Sequence, residues 1–432
     1  MMVARTLHAP RGRRFGSRLA ALVFVSAPVC AGVTEILAEL RGDESTRPQH
    51  VEELHALGPA AAGEIAGLLS GRSAELGLLS ADERELLLES LRSWPATATV
   101  EALLALPRDP SLDDRLTALR LVGEVGGKSA ILAVDSLCAG MAPAEVADPL
   151  VSAELQRTLL HLMRRDAEAV DEASRLMQAS RLRSELFQPL ARAIGQVPSS
   201  AGMAVLERLL GRNEGLDRIV LEALGNLRPY GDAHGLGEAA QSVRVYLSSI
   251  HPRLRRQAAL SLGSLHDSES VPHLIVLLDD PDRRVQRAAH WALGRISGLE
   301  LPADPESWTR WHEAELEWFD TRCAALIESL EAAEAARVIE ATRLLSLHPV
   351  HGMIVAEAIE GLLEHDDPLV VFAACAALAK LDSIGSFTLL VQALDDPRDE
   401  VRLAVARCLE ALTGEHLGVE PDVWFAWLAP AA

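Results

Sequence analysis

The sequence repeats itself at two lengths, and this feature constrains the fold more than any other. Residues 278–311, LDDPDRRVQRAAHWALGRISGLELPADPESWTRW, are echoed at 394–427 by LDDPRDEVRLAVARCLEALTGEHLGVEPDVWFAW, a displacement of 116 residues without a gap. A shorter period of 31 residues aligns LRRQAALSLG from Leu254 with VQRAAHWALG from Val285. Such self-similarity is typical of stacked repeats, because one short unit cannot bury its apolar face alone.

Each 31-residue unit has the pattern of a helical hairpin. In DDPDRRVQRAAHWALGRISG, we predict that Asp280 caps the second helix, that Pro281 takes its first position and that Gly298 ends it. Asp396 and Pro397 are the corresponding cap residues of the second copy. Between cap and stop, the apolar residues recur at helical spacing, at Val285, Ala288, Ala289, Ala292, Leu293 and Ile296.

The composition favours helices throughout. The chain is 49% hydrophobic but only 4% aromatic, so its core is built from Leu, Ala and Val. Ala and Leu lose little on entering a helix, whereas sheets are enriched in aromatic residues. We therefore predict an all-α fold, an α-solenoid of stacked antiparallel helix hairpins with about twenty helices and no sheet, bent where one sub-array meets another.

The pattern resembles HEAT repeats in their short bacterial form. The stretches that carry the resemblance are HPRLRRQAALSLGSL, DDPDRRVQRAAHWALGRI, DDPLVVFAACAALAKL and DDPRDEVRLAVARCLEAL. It covers roughly residues 250–300 and 366–414 clearly, and residues 51–228 more loosely. The resemblance implies a helical solenoid and says little about function, since a fold does not imply an activity.

The family usually has an aspartate in the turn, followed six residues later by Arg or Lys, which together form a ladder between repeats. Asp396 and Arg402 match this pattern. Asp280 is followed instead by Gln286, and Asp367 by Ala373, so the resemblance predicts a turn ladder that is interrupted at these two turns.

Each copy ends with two tryptophans that follow an acidic residue and a proline. Trp308 and Trp311 in the first copy, and Trp424 and Trp427 in the second, are spaced i and i+3 and share one helix face. We predict that each pair is a structural cap, a lid over the apolar end of a module, because a stacked array exposes apolar surface wherever it ends. The alternative is an aromatic binding platform.

The first 31 residues differ from the rest of the chain. They hold five arginines and no acid, then an apolar run from Leu19 to Val29 and the small residues Cys30-Ala31-Gly32. This order is typical of a signal peptide, and the run is too short to cross a bilayer. We predict export to the periplasm or the exterior and no stable membrane span. The alternatives are an uncleaved anchor, a lipidated Cys30 and a misassigned start codon, which would leave the protein cytoplasmic.

These features divide the chain into four parts. Residues 1–31 are the predicted signal peptide, and 32–228 are divergent helical repeats. Residues 236–318 form the first HEAT-like module with its Trp lid, and 319–432 form the second module with its C-terminal Trp cap. RPYGDAHGLG, from Arg228, is the expected linker.

The charge of the chain argues against nucleic acid as a partner. With 41 basic and 62 acidic residues, the net charge is −21, and a polyanion of this size is repelled by phosphate backbones. The densest basic run, Arg253–Arg256, is short, so no basic groove is expected. We predict protein partners with a basic or neutral contact patch.

No catalytic or metal motif stands out. His312-Glu313 is a lone dyad, and His348 with His351 is better explained by a turn than by a metal site, so no cofactor and no metal are predicted. Cys138, Cys323, Cys375 and Cys408 form no CxxC pair, and buried thiols are favoured over a Cys375–Cys408 disulfide.

The sequence therefore predicts a non-enzymatic protein-interaction scaffold or adaptor that binds its partners along the solenoid surface. The alternatives are an enzyme or accessory factor on the same scaffold, hydroxylase-like or lyase-like, and a structural subunit of a cell-envelope complex.

Overall fold

The structure, a computed structural model, describes residues 32–42, 47–71, 78–105, 111–166, 168–197, 200–227 and 233–428. Within these ranges all regular structure is helical and no β-strand occurs, which confirms the predicted all-α solenoid. The predicted signal peptide and residues 228–232 of the expected linker lie outside the described residues.

Helices α1 to α13 form the N-terminal part. Their bounds are α1 Val33–Gly42, α2 Arg47–Leu57, α3 Ala62–Leu69, α4 Ala81–Ser93, α5 Ala96–Leu104, α6 Leu112–Val125, α7 Ala130–Cys138, α8 Pro143–Val146, α9 Pro149–Arg165, α10 Ala169–Gln178, α11 Phe187–Ile194, α12 Ser200–Leu209 and α13 Glu214–Asn226.

Helices α14 to α25 contain the two copies of the repeat module. Their bounds are α14 Ala233–Arg244, α15 Pro252–Leu265, α16 Val271–Val276, α17 Arg283–Ser297, α18 Pro305–Trp318, α19 Ala324–Glu328, α20 Ala335–Leu345, α21 Gly352–Glu360, α22 Pro368–Lys380, α23 Phe387–Ala393, α24 Asp399–Thr413 and α25 Pro421–Leu428. A π-helical turn, Phe319–Cys323, joins α18 to α19.

The helices stack in two layers. In the first layer α6, α9, α11, α13, α15 and α17 each contact the next, and so do α20, α22 and α24. In the second layer α5, α7, α10, α12 and α14 follow one another, while α18 packs on α16 and α25 on α23. Each hairpin thus contributes one helix to each layer, which is how a repeat with one apolar face covers that face with its neighbours.

Small residues set the spacing of the first layer. A Cβ added to Gly263 on α15 would lie 2.8 Å from the Cα of Ala292 on α17, closer than packed atoms allow. One repeat earlier, a Cβ added to Gly225 on α13 would lie 3.0 Å from the Cα of Ser261. The Ser261 hydroxyl donates to the Leu221 carbonyl across the same contact, at 2.6 Å. Consecutive helices therefore meet backbone to backbone at these glycines.

The buried apolar residues form two clusters. One extends from Val33 to Trp308 and includes Val350, and the other extends from Cys323 to Trp424. The division falls along the α18–α19 segment. The solenoid therefore has two cores within its described residues, joined by the long, π-interrupted helix that follows the first module.

The two modules touch through equivalent residues. His266 and Asp382, which are 116 positions apart, each follow the last turn of a first-layer helix and have φ of 54° and 53°. His266 Nε2 lies 3.1 Å from Asp382 Oδ2. Contact between equivalent residues is typical of an isologous interface, in which two copies are related by a two-fold axis. In a solenoid that continues by translation, each repeat instead joins one of its faces to a different face of the next.

The predicted cap at Asp280 is wrong, and so is the predicted first position of Pro281. Helix α17 begins at Arg283 with Asp282 as its N-cap, whose carboxylate accepts a hydrogen bond from the Arg284 N–H at 2.7 Å. DDPD offers more than one aspartate as a cap, and Asp280 is 6% exposed because it forms an ion pair with Arg255 instead.

The second copy departs from the prediction in the same way. Helix α24 begins at Asp399 and Arg398 occupies its N-cap, so Asp396 and Pro397 precede the helix rather than start it. Asp367 does cap α22, accepting from the Leu369 N–H at 2.9 Å with Pro368 at the first position.

The four described cysteines are free, buried thiols. This confirms the favoured interpretation and excludes the Cys375–Cys408 disulfide from the structure. Burial raises the pKa of Cys375 to about 12, and it raises the pKa of Cys408 as well. Both sulfurs are therefore neutral packing atoms at ordinary pH.

Candidate functional site

The N-terminal turns of three consecutive first-layer helices, α13, α15 and α17, form two adjoining cavities of about 450 and 490 Å³. Five arginines line them: Arg218, Arg253, Arg256, Arg284 and Arg287. The other lining residues are Glu214, Pro252, Leu260, Asp282 and Ala288. The two cavities share Arg256 and Arg284, so they form one surface, here called the arginine groove.

The repeat itself brings these arginines together. Arg253 and Arg256 lie on either side of Leu254, a buried core residue, and share one face of α15 because they are three residues apart. The 31-residue period places Arg284 and Arg287 at the same two positions of α17. Stacking α17 on α15 therefore stacks one arginine pair on the other.

The preceding helix continues the series. GLDRIVLEALGN, from Gly215 in α13, aligns with RLRRQAALSLGS from Arg253, which makes Arg218 the equivalent of Arg256. Three successive repeats thus carry an arginine at one helix position. These stacked positions are Arg218 in the last N-terminal repeat, and Arg256 and Arg287 in the first module. A displacement of 116 residues from Arg256 and Arg287 gives Phe372 and Leu403 in the second module.

Four of the groove arginines have no ion pair with any described residue: Arg253, Arg256, Arg284 and Arg287. Arg218 lies 3.4 Å from Glu222, on the same helix. Of the two carboxylates in the lining, Asp282 already caps α17, and Glu214 lies 3.5 Å from His251. The groove therefore keeps an excess of positive charge on a chain with a net charge of −21.

The backbone adds to this potential. Arg253 and Arg256 lie in the first turns of α15, and Arg284 and Arg287 lie in the first turns of α17. The N-terminal end of a helix carries partial positive charge from its free N–H groups. Guanidinium groups at two such ends favour an anion in the space between them.

The arginine groove corrects the expectation that the chain has no basic groove. Arg253–Arg256 is a short run in the sequence, but its partners Arg284 and Arg287 are supplied by the next repeat. The alignment that identified the 31-residue unit contained part of this signal, because it pairs Arg256 with Arg287. Arg253 and Arg284 pair in the same way one residue before its start.

The second module presents different chemistry at the same places. Leu369, Phe372, Glu400 and Leu403 replace Arg253, Arg256, Arg284 and Arg287. Leu369 is 59% exposed and Leu403 is 53% exposed. One face of the first layer is therefore cationic in the first module and largely apolar in the second.

A half-buried guanidinium clamps the turns of each module. In the first, Arg255 donates to both carboxylate oxygens of Asp280 at 2.7 and 2.9 Å and to the Ser249 carbonyl at 2.8 Å. Burial alone would raise the pKa of Asp280, but hydrogen bonds from Arg255 and the Asp282 N–H, with the Arg255 charge, hold it below its usual value.

The second module builds the same clamp from a different position. Arg398 donates to the Asp396 carboxylate at 2.9 and 2.7 Å and to the carbonyls of Asp366 at 2.7 Å and His365 at 3.2 Å. At the displacement of 116 residues, Asp396 corresponds to Asp280 and His365 corresponds to Ser249. Arg398, however, corresponds to Asp282 and not to Arg255. The turn geometry is kept while the residue that supplies the cation has moved.

The residue six positions after the turn aspartate makes the same contact in both copies. Arg402 Nη1 donates to the Asp396 carbonyl at 2.9 Å, and Gln286 Nε2 donates to the Asp280 carbonyl at 2.8 Å. Both bonds lie within a single turn, so the interruption of the ladder between repeats stays a prediction. The acceptor is a backbone oxygen rather than the carboxylate, so a neutral amide serves as well as a guanidinium.

Each tryptophan pair has one buried and one half-buried member. Trp308 and Trp424 are 0% exposed, and each meets its partner edge to face, Trp311 at 5.5 Å and Trp427 at 6.4 Å between ring centroids. Trp424 Nε1 donates to the Gly418 carbonyl at 2.8 Å, whereas Trp308 Nε1 has no partner in the described structure.

The tryptophan helices pack on the second layer. The helix α18 contacts α16, and α25 contacts α23, whose Phe387 lies 6.2 Å from the Trp424 ring and 5.9 Å from the Trp427 ring. These pairs thus lie over the first helix of the preceding hairpin, with their second rings reaching the surface.

The histidines that the sequence offered as a metal cluster lie at the junction of the modules. His348 Nδ1 is 2.8 Å from Glu315 Oε2, and its ring stacks on Trp318 at 3.4 Å. His351 stacks on Phe319 at 4.4 Å. They attach the chain before α21 to the end of α18 through ring stacking and ion pairing.

One other group in the described part of the chain could offer three metal ligands, namely Glu39, His50 and Glu53 near the N-terminus. His50 is buried, but Glu39 is exposed, and His50 Nε2 lies 3.3 Å from Glu39 Oε2. A histidine–carboxylate pair on adjacent helices accounts for this geometry without an ion.

Two segments match a family model, that of HEAT repeats, at residues 240–307 and 320–410. The HEAT-repeat family model thus matches one segment in each module, in agreement with the resemblance stated for residues 250–300 and 366–414. No protein of curated function matches the chain significantly. Among the described helices, none has both the length and the apolar character that crossing a bilayer requires.

Solved structures resemble the chain at low identity. An engineered protein is 20% identical over 81% of this chain and 98% of its own, with a TM-score of 0.29. Kap121p bound to Pho4p is 14% identical over 80% of this chain and 41% of its own, with a TM-score of 0.34. A designed armadillo repeat protein is 16% identical over 49% of this chain and 99% of its own, with a TM-score of 0.20.

Proposed function

We propose that this protein is a non-enzymatic scaffold that binds other proteins along the exposed face of its first helix layer. One observation carries the proposal. The stacked positions Arg218, Arg256 and Arg287 place guanidinium groups on one face at the spacing of the repeats, and the equivalent positions of the second module carry the apolar side chains of Phe372 and Leu403. Arginine and large apolar side chains are the groups that anchor protein interfaces.

The repeat architecture supports this function. HEAT repeats occupy both modules, and a helical solenoid offers a long surface to its partners. The groups that could suggest chemistry are already engaged in structural contacts, the junction histidines by aromatic rings and the clamp arginines by carboxylates.

We propose that the protein works outside the cytoplasm, in the periplasm or beyond it. The support is the arginine-rich start and the apolar run Leu19–Val29, which are typical of a signal peptide. Expression of the full gene in a bacterial host and N-terminal sequencing of the product test this. The expected mature chain begins near Gly32, and a product that retains Arg5 to Arg18 would contradict export.

The scaffold is tested by photo-crosslinking in the native host. A photoreactive amino acid is placed at Arg287 or Leu403 on the proposed face and, as a control, at Leu389, which is 43% exposed on the second-layer helix α23. We expect the same partner protein from both face positions and little from Leu389. Equal crosslinking from all three positions, or none from the face, would overturn the proposal.

A further inference from the structure

We infer that the arginine groove binds an acidic polypeptide segment in an extended conformation, with carboxylates about three residues apart. The inference deepens the proposed scaffold, on which it rests, by naming the chemistry of one partner. It also replaces the expectation of a basic or neutral contact patch on that partner.

The first argument is the unpaired charge. Four guanidinium groups of the groove have no carboxylate partner among the described residues, although the chain carries 62 acidic residues and pairs many of its other arginines. The guanidinium fork matches a carboxylate in a two-bond geometry, which makes arginine the usual residue for such recognition. The groove is thus complementary to Asp and Glu side chains in both charge and shape.

The second argument is the spacing. Arg218, Arg256 and Arg287 lie on consecutive packed helices, and packed helices have axes roughly 8–10 Å apart. An extended chain advances about 3.3 Å per residue, so three residues span one helix-to-helix step. A peptide that crosses α13, α15 and α17 therefore presents one carboxylate to each stacked arginine when its acids recur at every third position.

The third argument distinguishes a polypeptide from a nucleic acid. The lining includes Glu214 and Asp282, and the whole chain has a net charge of −21. A duplex with a phosphate every few ångströms would extend past the three helices and meet predominantly acidic surface. A short acidic segment places its charges only where the arginines are.

The experiment measures direct binding of labelled synthetic peptides by fluorescence anisotropy at low salt. The first peptide has three aspartates, each separated by two serines. The second has the same composition with the aspartates adjacent, and the third has lysines in place of the aspartates. A short DNA duplex with the same label is the nucleic-acid comparison. We expect the spaced acidic peptide to bind most tightly and the lysine peptide not to bind.

The groove is tested with a double charge reversal, Arg256→Glu with Arg287→Glu. The matched control is Arg310→Glu with Arg407→Glu, which makes the same change in net charge at two exposed arginines of α18 and α24 outside the groove. We expect the groove variant to weaken the spaced acidic peptide by at least about tenfold, because it removes two attractions and adds two repulsions. The control should bind within about twofold of the parent.

Three results would overturn the inference. If the groove variant and the control weaken binding of the spaced acidic peptide equally, the binding depends on net charge alone. If the duplex binds more tightly than any peptide, the groove is assigned to nucleic acid. If the peptides with adjacent and with spaced aspartates bind equally well, the predicted three-residue spacing of the carboxylates is contradicted. Circular dichroism of both variants verifies that each is folded before the comparison.

The crosslinking experiment keeps this inference separable from the scaffold. In one outcome, a partner is captured from both Arg287 and Leu403 and is still captured from Leu403 in the Arg256→Glu variant. This outcome would leave the scaffold in place and contradict recognition of that partner through the groove. Peptide binding that follows the groove variant, without any partner at either position, would contradict the scaffold alone.

Discussion

At the scale of single residues, arginine has three separate roles in this chain. Arg255 and Arg398 clamp turns from half-buried positions, and Arg402 donates to a turn carbonyl. Arg256 and Arg287 are exposed and form no ion pair with the part of the chain that the structure describes. Arginines one residue apart in Arg253–Arg256 therefore face different environments, because successive residues of a helix point about 100° apart.

The Arg255 clamp can be measured through stability. Arg255→Ala leaves Asp280, 3% exposed in its side chain, without its counter-charge, which should cost about 3–5 kcal/mol in the local stability of α15 and α17. Urea unfolding and hydrogen exchange of α17 amides report the loss. As a control, Arg343→Ala removes an ion pair with Glu340 that is more than half exposed and should change nothing measurable.

The pH dependence of this clamp has a definite sign. The folded pKa of Asp280 lies below its unfolded value, so the clamp stabilises the fold at pH values above the unfolded pKa of about 4. That contribution is lost as the pH falls through the folded pKa. The parent should lose stability on acidification, and Arg255→Ala should lose less, since its Asp280 no longer gains from being charged. If acid titrations of the parent and of Arg255→Ala coincide, the role assigned to the Arg255–Asp280 pair is contradicted.

At the scale of elements, the two tryptophan helices are equivalent in sequence but not in bonding. Trp308 and Trp424 are both fully buried, and only Trp424 has a hydrogen-bond partner, the Gly418 carbonyl. The partner rings of Trp311 and Trp427 remain half-exposed. Each pair can therefore close a module with one ring and still present the other at the surface.

The lid interpretation predicts the order of four variants. Trp424→Ala should cost about 3–5 kcal/mol in the terminal repeats, since it empties a buried aromatic site, and Trp427→Ala should cost much less. Trp424→Phe should cost about 1 kcal/mol more than Trp308→Phe, because only the first loses a hydrogen bond. Thermal melts of the four variants measure the order. Equal melting of parent and Trp424→Ala, with emission typical of tryptophan in water, would favour a binding platform.

At the scale of the whole molecule, the junction between the modules is the least solenoid-like region. Equivalent residues, His266 and Asp382, meet there, and His348 and His351 stack on the aromatic end of α18. The two cores are joined by one helix, the apolar contact of Val350 and a few ring and ion contacts, and we expect them to unfold separately, since solenoid stability is nearest-neighbour in character.

The junction should weaken at mildly acidic pH. Burial lowers the pKa of His351 and of His312, with Glu315, Glu313 and His348 as the neighbouring titratable groups. Because their folded pKa values lie below the unfolded value of about 6.5, the folded junction loses stability as the pH falls below that value. His312→Phe with His351→Phe should remove most of this dependence between pH 7.5 and 5.5 in urea titrations. If the free energy of unfolding depends on pH as steeply in the double variant as in the parent, this prediction is refuted.

The 31-residue period and the spacing of Val285 to Ile296 were enough to predict the helices, their buried faces and the solenoid class. The physical reason is that an amphipathic helix depends on residues three and four apart, which a sequence displays directly. The same alignment already contained the stacked arginines, although their meaning depended on which helices became neighbours.

Only the tertiary structure decided which aspartate caps a helix and which forms an ion pair, which arginine clamps each turn, and how the two modules meet. DDPD at residues 279–282 allows several assignments, and the choice of Asp280 for burial depends on Arg255, 25 positions away. The arginine groove and the His266–Asp382 contact depend likewise on the placement of whole repeats. Side chains of this kind pair through space, and their energies are set by distances and burial that local sequence patterns do not encode.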